Sequence, residues 1–289
     1  MRQALSTFHA RQTMNNREFE VFHYKDVRPE GIMLHNHDFY EVYLFLDGAV
    51  EYQIENTIYP LVRGDMLLVS PMELHRPISH KGEYERIVLW ISRPYLRGLE
   101  QEHHLELEQC FNPNRTQHTN LLRLNREYLR VMTVLMDLML RETATEQYGS
   151  DTMRQCSLIQ ILTLINRLVQ QPDRAGDDLA SDDLVDAVYA HINQNIAGDL
   201  SLAALSNLFY VDTSTLSRRF KKQLGATIPD YVRHKRLTMA RIMLLEGERP
   251  TMAAQQCGYS DYSSFFRAFR RQYGTSPKEF VHAMNERNG

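Results

Sequence analysis

The stretches YVDTSTLSRRFKKQLGATIPDYV (210–232) and YSDYSSFFRAFRRQYGTSPKEFV (259–281) align without a gap at an offset of 49 residues. Tyr210 pairs with Tyr259, Asp212 with Asp261, Ser214 with Ser263, Arg218 with Arg267, Phe220 with Phe269, Gly225 with Gly274 and Tyr231 with Phe280. Lys221 and Lys222 meet Arg270 and Arg271. Two copies are too few for a solenoid and describe two equivalent small modules. Each opens on a short apolar-periodic helix, SLAALSNL (201–208) or TMAAQQC (251–257). A tight turn follows, and Asp212 or Asp261 is then an N-cap whose carboxylate can accept from free helical N–H groups. The second helix turns Leu216 and Phe220, or Phe265 and Phe269, inward at i, i+4 spacing. Its other face carries Ser214, Ser217 and Arg218, or Ser263 and Arg267. Gly225 and Gly274 fall where a left-handed C-cap belongs. Short helix, tight turn and polar-faced helix is the arrangement whose second helix enters the major groove. Two helical hairpins with solvated basic faces share that layout; the same face twice over, with Arg at the same place, points to DNA.

Between the copies, TIPDYVRHKRLTMARIMLLEG (227–247) reads as one long helix, packing through Tyr231, Leu237, Ala240, Ile242 and Leu244. Such a connector holds two recognition helices at a set separation. Charge agrees with a polyanion partner: from residue 213 onward there are 14 Lys+Arg against 6 Asp+Glu, in a chain whose formal net charge is −3.

At the other end, LHNHDFYEVYLFLDG (34–48) places His35, His37 and Glu41 on one face if the strand is regular throughout. Neutral imidazoles and a carboxylate converging on a point suit a divalent metal ion. The runs EFEVFHY, YEVYLFL, AVEYQIEN, GDMLLVSP and ERIVLWIS alternate as strands do, with turns at Gly48, Asn56, Gly64-Asp65 and Gly82, and predict a small antiparallel barrel. Residues 118–142 and 152–171 read as two helices. In the second, Leu158, Ile161, Ile165 and Leu168 form a seam with 3-4-3 spacing, fit for a helix pair or for burial against the barrel. QPDRAGDDLASDD (171–183) has linker composition.

Composition places the chain among soluble globular proteins of two ordinary domains. Three cysteines, Cys110, Cys156 and Cys257, are odd in number and lack CxxC spacing, which argues against a disulfide framework or a thiolate zinc site. With neither a secretory apolar stretch nor an 18-residue apolar window, the expected location is the cytoplasm, with no membrane partner.

Residues 182–287 resemble the DNA-binding domain of AraC-family transcription regulators. The resemblance rests on Ala204, RRFKKQLG (218–225), Tyr231, RLTMARIMLL (236–245) and GYSDYSSFFRAFRRQYGTSPKEF (258–280). It implies that Ser214, Ser217 and Arg218 face DNA from the first recognition helix, and Tyr262, Ser263, Phe266 and Arg267 from the second. Lys221, Lys222, Arg270 and Arg271 then meet mainly phosphates. Two departures stand out: Phe209 occupies a turn position where Gly is common, and Phe266 replaces a small polar residue. LHNHDFYEVYLFLDG and GDMLLVSPMELH (64–75) are similar to the two cupin motifs, the second without the Gly that commonly follows its Pro. The positions that bind metal in that family are His35, His37, Glu41 and His75. A cupin-like barrel before two helix-turn-helix modules is the common AraC-family architecture, in which the barrel binds an effector, often a sugar.

The expected fold is therefore two-domain α+β. A cupin-like effector barrel (1–117) is followed by two helices of a dimerisation segment (118–170), a linker (171–181) and an all-α domain of two helix-turn-helix modules joined by a long helix (182–289). The expected function is that of a non-catalytic transcription regulator. Its partners are double-stranded DNA, a small effector, a second copy and, for an activator, RNA polymerase. The effector pocket is expected from His35, His37, Glu41, His75, Tyr43 and Trp90, with Tyr40 and Phe45 as further stacking faces, although aromatic residues on barrel strands also form core. The same His and Glu side chains can hold a divalent transition metal or hydrogen-bond sugar hydroxyls. A cupin-type metalloenzyme with a helical appendage and a metal-responsive regulator are the rivals.

Overall fold

Side chains of strand β2 (Tyr40–Asp47) alternate between two cores. Val42 and Leu44 belong to one cluster, Tyr43 and Phe45 to another. Strand β7 (Glu83–Ile91) repeats the division: Ile87, Leu89 and Ile91 on one side, Tyr84, Val88 and Trp90 on the other. The computed structural model describes residues 5–6, 13–27, 34–79, 82–112, 120–170, 183–224 and 226–288. They form two compact units, residues 1–54 with 58–179, and residues 55–57 with 180–289.

In the first unit a five-stranded sheet runs in the order β1 (Phe19–Val27), β7, β2, β5 (Asp65–Val69), β8 (Leu121–Arg123). A three-stranded sheet runs β4 (Thr57–Pro60), β3 (Val50–Ile54), β6 (His75–Ser79). β2 lies antiparallel between β7 and β5, with Glu41 opposite both Trp90 and Val69. Tyr52 and Ile54 of β3 and Tyr59 of β4 share a core with Tyr43, Val88 and Trp90, so the two sheets close on each other. The outer face of the larger sheet is covered by α1 (Arg93–His103), a 3-10 turn at Leu107–Phe111, α2 (Arg126–Ala144) and α3 (Ser150–Val169).

Three expectations need correction here. Residues 118–142 are not one helix: Leu121–Arg123 pairs with β5, supplying ladder partners to Asp65, Met66 and Leu67, and α2 starts only at Arg126. Asn125 caps it by accepting from the Tyr128 N–H at 2.9 Å. Tyr40 is no pocket face, because its position on β2 turns it outward onto Phe111, ring centroids 4.5 Å apart. The seam Leu158, Ile161, Ile165 and Leu168 is not a free surface either. All four side chains are buried within a single chain, against the sheet and α2, so they are the lid of the outer core and no subunit contact. α1, β4 and β6 went unread in the sequence.

From residue 183 onward the elements among the described residues are α4 (Asp183–Gln194), α5 (Leu202–Leu208), α6 (Thr213–Leu224), α7 (Ile228–Leu245), α8 (Pro250–Gln256), α9 (Tyr262–Tyr273) and α10 (Pro277–Asn288). The internal repeat is visible as packing. Phe220 meets Tyr231 edge-on at 5.5 Å and 75°, and 49 residues later Phe269 meets Phe280 at 5.8 Å and 68°. α7 joins the copies through buried Tyr231, Leu237, Ala240, Ile242 and Leu244. The linker expected at 171–181 and the C-cap expected at Gly225 lie outside the described residues. Among the described residues no helix is long and apolar enough to cross a membrane.

Truncating a side chain in the outer core leaves a cavity. Ile161→Ala should therefore lower the stability of the first unit by ~2–5 kcal/mol in denaturant titration, with no change of oligomeric state before unfolding.

Candidate nucleic-acid interface and buried histidine site

On α6, Leu216 and Phe220 are buried while Ser214, Arg218, Lys221 and Lys222 are exposed and Ser217 is half-buried. On α9, Phe265 and Phe269 are buried; Tyr262, Ser263, Arg267, Arg270 and Arg271 are exposed, and Phe266 is half-buried. Each helix thus presents one polar, basic face. Asp212 accepts from the Thr215 N–H at 2.7 Å and from the Ser214 hydroxyl at 2.6 Å. Asp261 accepts from the Ser264 N–H at 2.8 Å and caps α9. The Ser214 hydroxyl and Thr215 N–H hold the Asp212 carboxyl down at about 2. At the far end of α9, Gly274 takes φ +73° and donates to the Arg270 carbonyl, the expected C-cap.

The two turns solve one problem differently. The second uses Gly258 at φ +80°, where a Cβ would come within 2.8 Å of the Ala197 backbone and of the Arg236 guanidinium. That guanidinium is itself fixed, donating to the carbonyls of Ile196 and Gly198. In the first turn Phe209, the position equivalent to Gly258, takes φ −97°, and the left-handed residue is the exposed Tyr210 at φ +52°. Phe209 so avoids strain by passing it one residue along. Gly258→Ala should cost ~1–3 kcal/mol of stability in the second unit, read by thermal unfolding, because strain and a backbone contact coincide.

In the first unit, His37, Glu41 and His75 converge: they are all buried, with one ligand atom of each within 4.8 Å of the others. His37 does not reach the site by strand alternation, since β2 begins only at Tyr40. A short irregular segment carries it, tied down where the Met72 N–H donates to the His37 carbonyl at 3.1 Å. Met72, the residue after Pro71, stands where the motif commonly has Gly and adopts a left-handed backbone, φ +78°. The His37 ring stacks on Phe39 at 3.8 Å.

Both imidazoles are oriented in the same way. His37 Nδ1 lies 2.9 Å from the Phe39 carbonyl and His75 Nδ1 lies 2.8 Å from the Glu73 carbonyl. A carbonyl only accepts, so each Nδ1 carries the proton and each Nε2 turns a lone pair inward. Neither Nε2 has a hydrogen-bond partner; His37 Nε2 passes Glu41 Oε2 at 3.4 Å without bonding geometry. Burial, with the His35 and His37 rings alongside, holds His75 well below the usual imidazole range and hence neutral.

Glu41 is held from the barrel wall. Trp90 Nε1 donates to Oε2 at 2.7 Å and the Tyr52 hydroxyl to Oε1 at 3.2 Å. Burial raises this carboxyl, and the hydrogen bond from the Trp90 N–H is among the contacts that bring it down to about 2. His35 pairs with His75 through two backbone hydrogen bonds, and its half-buried ring lies 4.4 Å from the His75 ring, outside the group of three. Tyr43 is buried beside Tyr52 at 4.9 Å. Two residues escaped the sequence reading. Tyr52 is brought to Glu41 by closure of the second sheet. Arg86 is buried, bonded to Asp26 at 2.7 Å, with Tyr24 and Tyr84 stacked on its guanidinium. A charged residue amid the apolar run ERIVLWIS was the available signal for Arg86.

Comparison with known proteins matches both halves. The AraC-like ligand binding domain family covers residues 26–187, and a helix-turn-helix domain family covers residues 205–283. The chain is 26% identical over 250 residues to the HTH-type transcriptional activator RhaR of Mannheimia succiniciproducens, covering 86% of each protein. It is 27% identical over 248 residues to the probable transcriptional regulator LumQ of Photobacterium leiognathi, covering 85% of this chain and 90% of that one. To the HTH-type transcriptional activator RhaS of Escherichia coli it is 25% identical over 249 residues, covering 85% and 86%. With a ligand-binding barrel ahead of duplicated helix-turn-helix modules, this chain belongs to the AraC family of DNA-binding transcription regulators.

Proposed function

We propose that this protein is a ligand-responsive transcription activator, free of catalytic activity, whose α6 and α9 read neighbouring major-groove segments of one DNA site. The observation that carries the reading is the repeated helix face: Arg218 and Arg267 are equivalent, exposed and set on helices anchored by equivalent Phe residues. α7 is about 27 Å long by the helical rise, which suits two helices placed about one turn of DNA, ~34 Å, apart. Arg218 and Arg267 read base edges, with Ser214, Ser217, Tyr262, Ser263 and Phe266 around them. Lys221, Lys222, Arg270 and Arg271 contact phosphates. That relatives are named as activators supports activation, and with it contact to RNA polymerase.

The effector is a small polar molecule, a sugar or sugar derivative, taken by the barrel among His35, His37, Glu41, His75, Tyr43 and Trp90. Dimerisation in the 118–170 segment is kept in this reading. It moves from the buried seam to the outer helix faces, where Val131, Val134 and Met153 are exposed. Residues 171–181 link the halves.

The test is binding to a DNA site selected from a random pool. Arg267→Ala should cost ~1–3 kcal/mol and relax preference at one base position. Lys222→Ala should weaken all sequences alike and reduce the salt slope by about 1. Unchanged affinity and preference in Arg267→Ala would overturn the assigned register.

A further inference from the structure

Arg233 and Arg236 share one face of α7 and line an open pocket of about 430 Å³ that belongs wholly to the second unit. Its other walls are the loop before α5, with Asp199 and Ser201, and the turn before α9, with Gly258 and Tyr259. Arg236 donates to the carbonyls of Ile196 and Gly198, which fix its guanidinium but are themselves neutral. Arg233 is partly exposed and donates to Asp230 at 2.5 Å. Neither contact uses up the N–H groups of a guanidinium. The Tyr259 hydroxyl is buried and has no hydrogen-bond partner among the described residues, a state that costs free energy until a ligand answers it. Burial raises that hydroxyl to about 12, so at neutral pH it keeps its proton and has one to donate. The acid in the lining, Asp199, is exposed and already accepts from the Ser201 N–H at 2.9 Å. Two guanidiniums and an unanswered O–H facing one engaged carboxylate call for an anion with several acceptor oxygens.

We propose that this pocket is a phosphate site, in which Arg233 and Arg236 take the oxygens of a phosphate ester and the Tyr259 hydroxyl donates to one of them. Guanidiniums match phosphate oxygens in geometry as well as in charge. The volume lies in the range of ligand sites, more than a bare oxyanion fills, and so admits the groups to which the phosphate is esterified. Two sources share this chemistry, the backbone of bound DNA and a small phosphorylated molecule. Position favours the backbone. In a helix-turn-helix the first helix crosses the phosphate backbone, and the second enters the groove with its N-terminal residues. The pocket lies between Ser201, at the start of α5 in the first module, and Tyr259, just ahead of α9 in the second. A strand passing from one major-groove segment to the next crosses that interval. The site itself rests on the pocket; its assignment to DNA rests on the proposed reading of α6 and α9.

Full-length protein is titrated with duplexes of a selected site, each carrying one neutral methylphosphonate linkage, and separately with glycerol 3-phosphate at matched ionic strength. The expected result is one linkage per pair of modules, lying between the two major-groove segments, whose neutralisation weakens wild-type binding ~10-fold. In Arg233→Ala and in Tyr259→Phe the same neutralisation should add no further loss. Arg233→Ala should weaken all sequences alike and reduce the salt slope by about 1. Tyr259→Phe keeps the ring and its edge-on contact with Phe265. It should weaken binding ~10-fold with the salt slope unchanged, because no charge is removed. Circular dichroism checks that both variants are folded; a partly exposed pair such as Arg233 with Asp230 contributes little stability. Arg236 is left intact because its carbonyl bonds shape the loop before α5. If no linkage couples to both side chains, yet glycerol 3-phosphate binds the wild type at one equivalent and both variants at least ~10-fold more weakly, the site stands and its ligand is a small phosphate ester. Failure of both arms, including a coupling to Arg233 without Tyr259, overturns the site and leaves Arg233 a surface cation. The coupling is read at a phosphate, so it survives failure of the base contacts assigned to Arg218 and Arg267. If the protein selects no DNA, the glycerol 3-phosphate arm alone decides.

Discussion

The first unit depends on the two-sidedness of β2 and β7. Neighbouring residues on these strands serve opposite demands: Val42, Leu44, Ile87 and Leu89 bury under the helices, while Glu41, Tyr43 and Trp90 line the space between the sheets. Because side chains alternate with a period of two, a slip of one residue would drive Glu41 into the outer apolar core and turn Val42 inward. Register is thus set by the cost of burying a carboxylate without donors, and Glu41 finds its donors only where Trp90 stands opposite. The same pairing that makes the sheet also makes the site.

The helical unit is governed by a different constraint, duplication. Each recognition helix is an amphipathic rod pinned by two Phe or Leu side chains on one face, so its basic face is left outward without further instruction. The edge-on ring pairs, Phe220 with Tyr231 and Phe269 with Phe280, hold both helices in equivalent packing. The backbones of the two turns differ, and Gly258 in one is answered by Tyr210 in the other. A side chain can be spared a strained backbone if the neighbour accepts it.

Much of this is legible in the amino-acid sequence alone. The offset of 49 residues exposed the modules, because caps, buried pairs and basic positions recur together, and His35, His37, Glu41 and His75 stood out by residue type. What stayed hidden depended on distant pairing. Leu121–Arg123 carries no signal of its own and becomes a strand because β5 offers an open edge. The Leu158-to-Leu168 seam looked the same for either partner, since a period of 3.5 to 3.6 says which face is apolar and not what covers it. Tyr52 is joined to Glu41 only when the two sheets close.

The four ligand types read from the motif also separate once the backbone is traced. His35 and His75 are bonded through their main chains, yet adjacency of backbones does not make their imidazoles equivalent. His75 is fully buried and its Nδ1 is bound to Glu73, fixing which nitrogen faces inward. His35 is half-buried and lies outside the convergent group. A donor counts toward a metal site when its ring is both oriented and withdrawn from water, because orientation selects the lone pair and low polarity raises the value of the charge that meets it. By that criterion His37, Glu41 and His75 converge among the described residues, and His35 does not.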